Sequence, residues 1–118
     1  MHEYSLMRSL LKQVLSLVET HQASGVQEVV LSVGELSGVE PSLLAPAFHE
    51  LSLGTPAARA RLTIELVPLE GVCELCRAVT RIEALRFLCS ACGGKLRVLR
   101  GEELRLERVM LEFEESDS

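Results

Sequence analysis

Apolar residues recur at helical spacing near the head of the chain. Met7, Leu10, Leu11, Val14, Leu15 and Val18 follow i, i+3, i+4, i+7 intervals, while Arg8, Lys12, Gln13, Ser16 and Glu19 occupy the opposite side. The pattern predicts an amphipathic helix ended by Ser24-Gly25. From Val26 to Val33 the period drops to two. Val29, Leu31 and Val33 alternate with Glu28, Val30 and Ser32, which predicts a strand, and Val30 makes its second face partly apolar. Such a strand suits cover on more than one side. Gly34 to Gly38 is turn-rich and leads into a second helix near Pro41, with Leu44, Ala47, Phe48 and Leu51 on its apolar face. Pro46 inside that helix would cost about 3 kcal/mol, so the helix is kinked or begins closer to Ala45.

Gly54-Thr55-Pro56 then breaks the chain. A clean alternation from Arg61 to Val67 predicts a second strand with Leu62, Ile64 and Leu66 facing a core. A third strand starts at Gly101. Its inward set shifts from Leu104 and Leu106 to Val109, Leu111 and Phe113, as a bulge near Glu107-Arg108 would produce. The expected fold class is α+β: two helices on a three-stranded mixed sheet, interrupted by an inserted subdomain. That reading assigns 1–68 and 100–113 to the α/β part, 69–99 to the insertion, and 114–118 to a flexible acidic tail.

The insertion carries all four cysteines, as Cys73-Glu-Leu-Cys76 and Cys89-Ser-Ala-Cys92 with 12 residues between the pairs. A C-x-x-C turn brings two sulfurs to one side of a tight loop, and two such loops complete a tetrahedral thiolate shell around zinc. This points to a compact ribbon with one hairpin and a structural Zn²⁺. Two disulfides would need an oxidising compartment, and the first residues do not read as a secretory leader. A redox C-x-x-C occurs singly in front of a helix. Four thiolates also suit an iron–sulfur cluster, which metal analysis distinguishes from zinc. Some 30 residues with few large apolar groups need the metal to fold.

Composition narrows the function classes. Of 118 residues, 47% are hydrophobic but only 3% aromatic, so the core is aliphatic. The net charge of −5 argues against general attraction to nucleic acid or anionic membrane, and no apolar run reaches membrane-spanning length. The expected compartment is a reducing cytoplasm. Charge is uneven: Gly71 to Arg100 holds six basic residues against Glu74 and Glu83, a net +4, leaving −9 elsewhere. No P-loop, nucleophile elbow or open zinc site argues for an enzyme. A nucleic-acid-binding ribbon or a scaffold is the rival reading.

Met1-His2-Glu3 is a second candidate site. An α-amine, the first peptide nitrogen and the His2 imidazole can close adjacent chelate rings, and Glu3 can add a further ligand; nitrogen-rich sets of this kind suit nickel(II) or copper(II). On residue chemistry alone the plainer reading is preferred, because one terminal His is a poor ligand set and Glu3 complements a helix start. His21 and His49 read as surface or capping residues.

The motifs taken together resemble one family. Met1-His2-Glu3-Tyr4-Ser5-Leu6, Val33-Gly34-Glu35-Leu36-Ser37-Gly38-Val39, Phe48 with Glu50 and Leu51, Leu53-Gly54-Thr55, both C-x-x-C motifs and Gly101-Glu102-Glu103-Leu104 run in the order seen in HypA/HybF proteins, the nickel metallochaperones of hydrogenase maturation. The resemblance spans essentially the whole chain. It implies nickel binding at Met1, His2 and Glu3, and a structural zinc held by Cys73, Cys76, Cys89 and Cys92. It also implies nickel as a transferred cargo, a HypB-type GTPase and the large subunit of nickel–iron hydrogenase as partners, and urease maturation for some members. A monomer or weak homodimer is expected, with no nucleic-acid or membrane partner. Two departures stand out: Arg77 replaces the glycine common after the first cysteine pair, and Pro46 is unusual for the second helix.

Overall fold

The computed structural model of the chain describes residues 2–114. Helix α1 (His2–Thr20) is followed by strand β1 (Gly25–Gly34), a short 3₁₀ turn (Pro41–Leu43), helix α2 (Leu44–Ser52) and strand β2 (Arg61–Val67). Strands β3 (Glu70–Cys73), β4 (Val79–Arg81) and β5 (Leu96–Arg100) come next, and β6 (Leu104–Glu112) closes the order. The expected acidic tail lies, from residue 115 onward, outside the described residues.

Two compact units divide the chain. Among the described residues, the first comprises 2–31, 40–65 and 105–114; the second, 32–39 and 66–104. In the first, α1 buries Met7, Leu10, Leu11, Val14 and Val18, five of the six residues its periodicity marks as apolar. Helix α2 adds Leu44, Ala47 and Phe48, and β1 adds Val26, Val29, Val30 and Leu31. Burial of consecutive β1 residues shows that both faces of this strand are covered, which explains its continuous apolar run. It is the middle strand of the order β2-β1-β6. The Val26 N–H donates to Pro56 O at the start of β1 and the Glu35 N–H to Val67 O just past its end, so β2 runs parallel. The Ser24 N–H donates to Glu112 O and the Gly34 N–H to Glu103 O, so β6 runs antiparallel. The sheet is mixed, as expected.

Pro46 is accommodated because α2 begins at Leu44, not at Pro41. The proline then falls in the first turn, where a backbone N–H has no helical acceptor to lose. Strand β6 shows the anticipated change of phase: Glu107 and Arg108 are both exposed, and partial burial passes from Leu104 and Leu106 to Val109 and Leu111. Two expectations fail at strand ends. Leu66 is 70% exposed and Phe113 56% exposed. Leu66 lies past the last β2 residue of the first unit, and Phe113 lies past the end of β6, so neither reaches the helical core.

The second unit holds a three-stranded antiparallel sheet of order β4-β3-β5 rather than a single hairpin. Its core is small: Leu69, Cys73, Ile82, Cys89 and Leu96, with Val98 packed against them. Between β4 and the second cysteine pair, the Arg86 N–H closes a turn onto Glu83 O, with Ala84 at φ 51° and Leu85 at φ 55°. Two successive non-glycine residues in the left-handed region are costly, at about 1–2 kcal/mol each. Backbones also meet closely in this unit. A Cβ on Gly34 would lie 2.3 Å from Gly101 O, so the Leu36 N–H can reach Gly101 O only because residue 34 has no side chain.

Candidate metal centre

Both cysteine pairs fold into the same loop. The Arg77 N–H donates to Cys73 O at 3.0 Å and the Cys73 N–H to Ala78 O at 2.9 Å. In the second loop the Gly93 N–H donates to Cys89 O at 2.8 Å and the Cys89 N–H to Gly94 O at 2.7 Å. The residue after each second cysteine is left-handed: Arg77 at φ 65° and Gly93 at φ 79°. Arg77 therefore adopts the geometry that a glycine would give without strain, and the knuckle survives the substitution. The N–H groups of Leu75 and Cys76 donate to Cys73 Sγ, and that of Ala91 to Cys89 Sγ, each at 3.4 Å.

The two loops face each other. Cys73 Sγ lies 3.4 Å from Cys92 Sγ, and Cys76 Sγ 3.7 Å from Cys89 Sγ. All four sulfurs fall within 4.8 Å of one another, and none is in a disulfide. A tetrahedral shell with bonds of about 2.3 Å has sulfurs about 3.8 Å apart, so this cluster fits a zinc ion. Cys73 and Cys89 are buried while Cys76 and Cys92 are exposed, giving the site one closed and one open side.

Electrostatics makes the same demand. The Cys76 N–H, aided by that of Leu75, holds the Cys73 thiol down at about 6. The N–H groups of Cys92 and Ala91 likewise lower Cys89. The Gly94 N–H favours the Cys92 thiolate too, but the Cys73 and Cys76 sulfurs, burial and Cys89 outweigh it and push that thiol up to about 12. Four thiolates this close need a cation between them before all can ionise.

The chain start is built differently. Helix α1 opens at His2, which is exposed. The Glu40 N–H donates to Glu3 Oε2 at 3.1 Å, tying the first helical turn to the residue ahead of the 3₁₀ turn. That bond, with the backbone N–H of Glu3 itself, holds the Glu3 carboxyl below its ordinary 4.5. Met1 lies outside the described residues. His2 and Glu3 belong to the first unit and the four cysteines to the second. His21 and His49 are exposed, and the cysteine quartet is the only group of three or more potential metal ligands among the described residues. Sequence reasoning did not single out Glu40, because its grip on Glu3 spans 37 positions and leaves no local pattern.

Comparison with known proteins decides the family. A model described as "Hydrogenase/urease nickel incorporation, metallochaperone, hypA" matches residues 1–111. The chain belongs to the HypA family. A hydrogenase maturation factor HypA from Nitrosospira multiformis is 42% identical over 94% of this chain and 97% of its own length. One from Aquifex aeolicus is 36% identical over 97% of this chain and all of its own. The solution structure of the Ni metallochaperone HypA from Helicobacter pylori superposes with a TM-score of 0.68 at 29% identity, covering 95% of this chain and 98% of that one. A second HypA solution structure reaches 0.75 at the same identity, over 97% and 98%. HypA proteins are non-enzymatic accessory factors, and this chain is accordingly a metallochaperone-family member and not an enzyme. No described helix is long and apolar enough to cross a membrane.

Proposed function

We propose that this HypA-family chain binds nickel(II) at its N-terminus and hands it to the large subunit of nickel–iron hydrogenase, in the cytoplasm and together with a HypB-type GTPase. Met1 provides the amine, His2 its imidazole and amide nitrogen, and Glu3 a further nitrogen. Cys73, Cys76, Cys89 and Cys92 hold a structural zinc that is not passed on. The reading rests most heavily on where α1 begins. The first four N–H groups of a helix have no acceptor within it, so the amides of His2 and Glu3 can lose their protons to a metal without breaking a helical hydrogen bond.

The same position explains how the cargo is released. A helix start carries about half a positive charge, which opposes a bound dication. The amine must also shed a proton to bind, since α-amino groups in general titrate at about 7.7–8.0. Nitrogen ligands select nickel, while the exposed setting and the adverse dipole keep the grip loose. The thiolate cage, half-buried and softer, keeps its zinc.

Nickel titration followed by calorimetry tests the assignment. His2→Ala, and a chain extended by one residue ahead of Met1, should each lose stoichiometric nickel while keeping one zinc per chain. Full nickel binding in both variants would exclude the terminal site.

A further inference from the structure

The β4-β3-β5 sheet turns Cys73 and Leu96, which pair across β3 and β5, toward its core. Its other face is set by the neighbouring pairs. Val72 lies opposite Val79 on one side and Arg97 on the other, and Leu88 lies opposite Lys95. Facing residues of an antiparallel ladder share a side, as do alternate residues of a strand. Arg97 follows Lys95 by two residues on this side, and Arg86 stands two residues before Leu88.

This face is therefore apolar and cationic at once, and it is open. Val79 is 53% and Leu88 55% exposed, and Arg86, Lys95 and Arg97 are exposed as well. No described carboxylate forms an ion pair with any of these three cations, although Arg81 pairs with Glu35 and Arg100 with Glu70 in the same unit. Glu74 follows Cys73 beside Lys95 and offsets one charge, which leaves the face at a net +2.

We propose that this face docks an acidic segment of a partner protein, with apolar side chains between its carboxylates. The carboxylates would pair with Arg86, Lys95 and Arg97, and the apolar groups would cover Val72, Val79 and Leu88. Nucleic acid fits less well. Base stacking needs aromatic rings, and Val72, Val79, Leu88, Lys95 and Arg97 supply none. Outside Gly71 to Arg100 the chain carries −9, which would repel a polyanion.

The test uses the full-length, metal-loaded protein and three fluorescent probes: a peptide alternating Glu and Val, one alternating Lys and Val, and a single-stranded oligothymidylate. The Glu–Val peptide should bind, shifting the amide resonances of Val72, Val79, Leu88 and Arg97. Arg86→Glu with Arg97→Glu should weaken it about tenfold or more, as should raising the salt. Leu88→Ser should weaken it with the charges intact. Unchanged Cys73 and Leu96 resonances certify the fold of each variant; should the double reversal unfold the sheet, Arg97→Gln carries the same test with a smaller loss. Undiminished binding by the folded charge variants, shifts mapping elsewhere, or preference for the oligothymidylate would each overturn the proposal.

Discussion

Arg77 shows how a single residue tests the sulfur cluster. Its backbone sits at φ 65°, matching Gly93 at φ 79° in the twin loop, and both donate to the carbonyl of the first cysteine. A side chain in that region costs about 1–2 kcal/mol, part of which glycine would return through a more flexible unfolded chain. Arg77→Gly should therefore stabilise the loop by about 1 kcal/mol. Because folding and metal binding are coupled here, that gain should be read as apparent zinc affinity tighter by about fivefold in competition with a chelator. Weaker affinity in Arg77→Gly would mean that the guanidinium holds the site in some way beyond backbone geometry.

At the level of elements, the turn from Glu83 to Arg86 is the least expected piece. Positive φ at both central positions is the condition of a type I′ turn, which strongly prefers Asn-Gly, yet Ala84-Leu85 occupies it. Ala84→Asn with Leu85→Gly should slow amide exchange at Cys89 and Leu96 by about 5- to 30-fold, equivalent to about 1–2 kcal/mol. Unchanged exchange would show that the turn carries no strain. The same mismatch explains why β4 and β5 were not legible: strands of three and five residues, joined through a turn without turn residues, leave no periodic trace. Longer elements were legible. Helix α1 followed from its 3.6-residue period, the covered faces of β1 from Val30, and the α2 start from Pro46. The cysteine quartet was legible because its chemistry fixes its spacing. The chain start was only faintly legible: residue chemistry offered Met1, His2 and Glu3 as chelating groups but favoured a plain helix start, and the likeness to a family reversed that preference.

For the whole molecule, the two units draw their stability from different sources. The first buries Met7, Val14, Leu31, Leu44 and Phe48, an apolar core that contains no cysteine. The second relies on a cluster of five buried residues, of which Cys73 and Cys89 are themselves ligands in the proposed site. Removing zinc would thus take away both the crosslink and part of this hydrophobic cluster. Structural zinc contributes about 10–16 kcal/mol in small domains, far more than three aliphatic residues can replace. Cys76→Ala, or chelation of the wild type, should abolish exchange protection at Val72 and Leu96. The loss should extend to Gly34, Glu35 and Leu36, whose N–H groups bond Glu103, Val67 and Gly101 within the same unit. Val29 and Leu31, earlier in β1, should stay protected. Protection of Val72 and Leu96 surviving in Cys76→Ala would show that the sheet folds without its metal, whereas loss at Leu31 as well would show that zinc stabilises the first unit too.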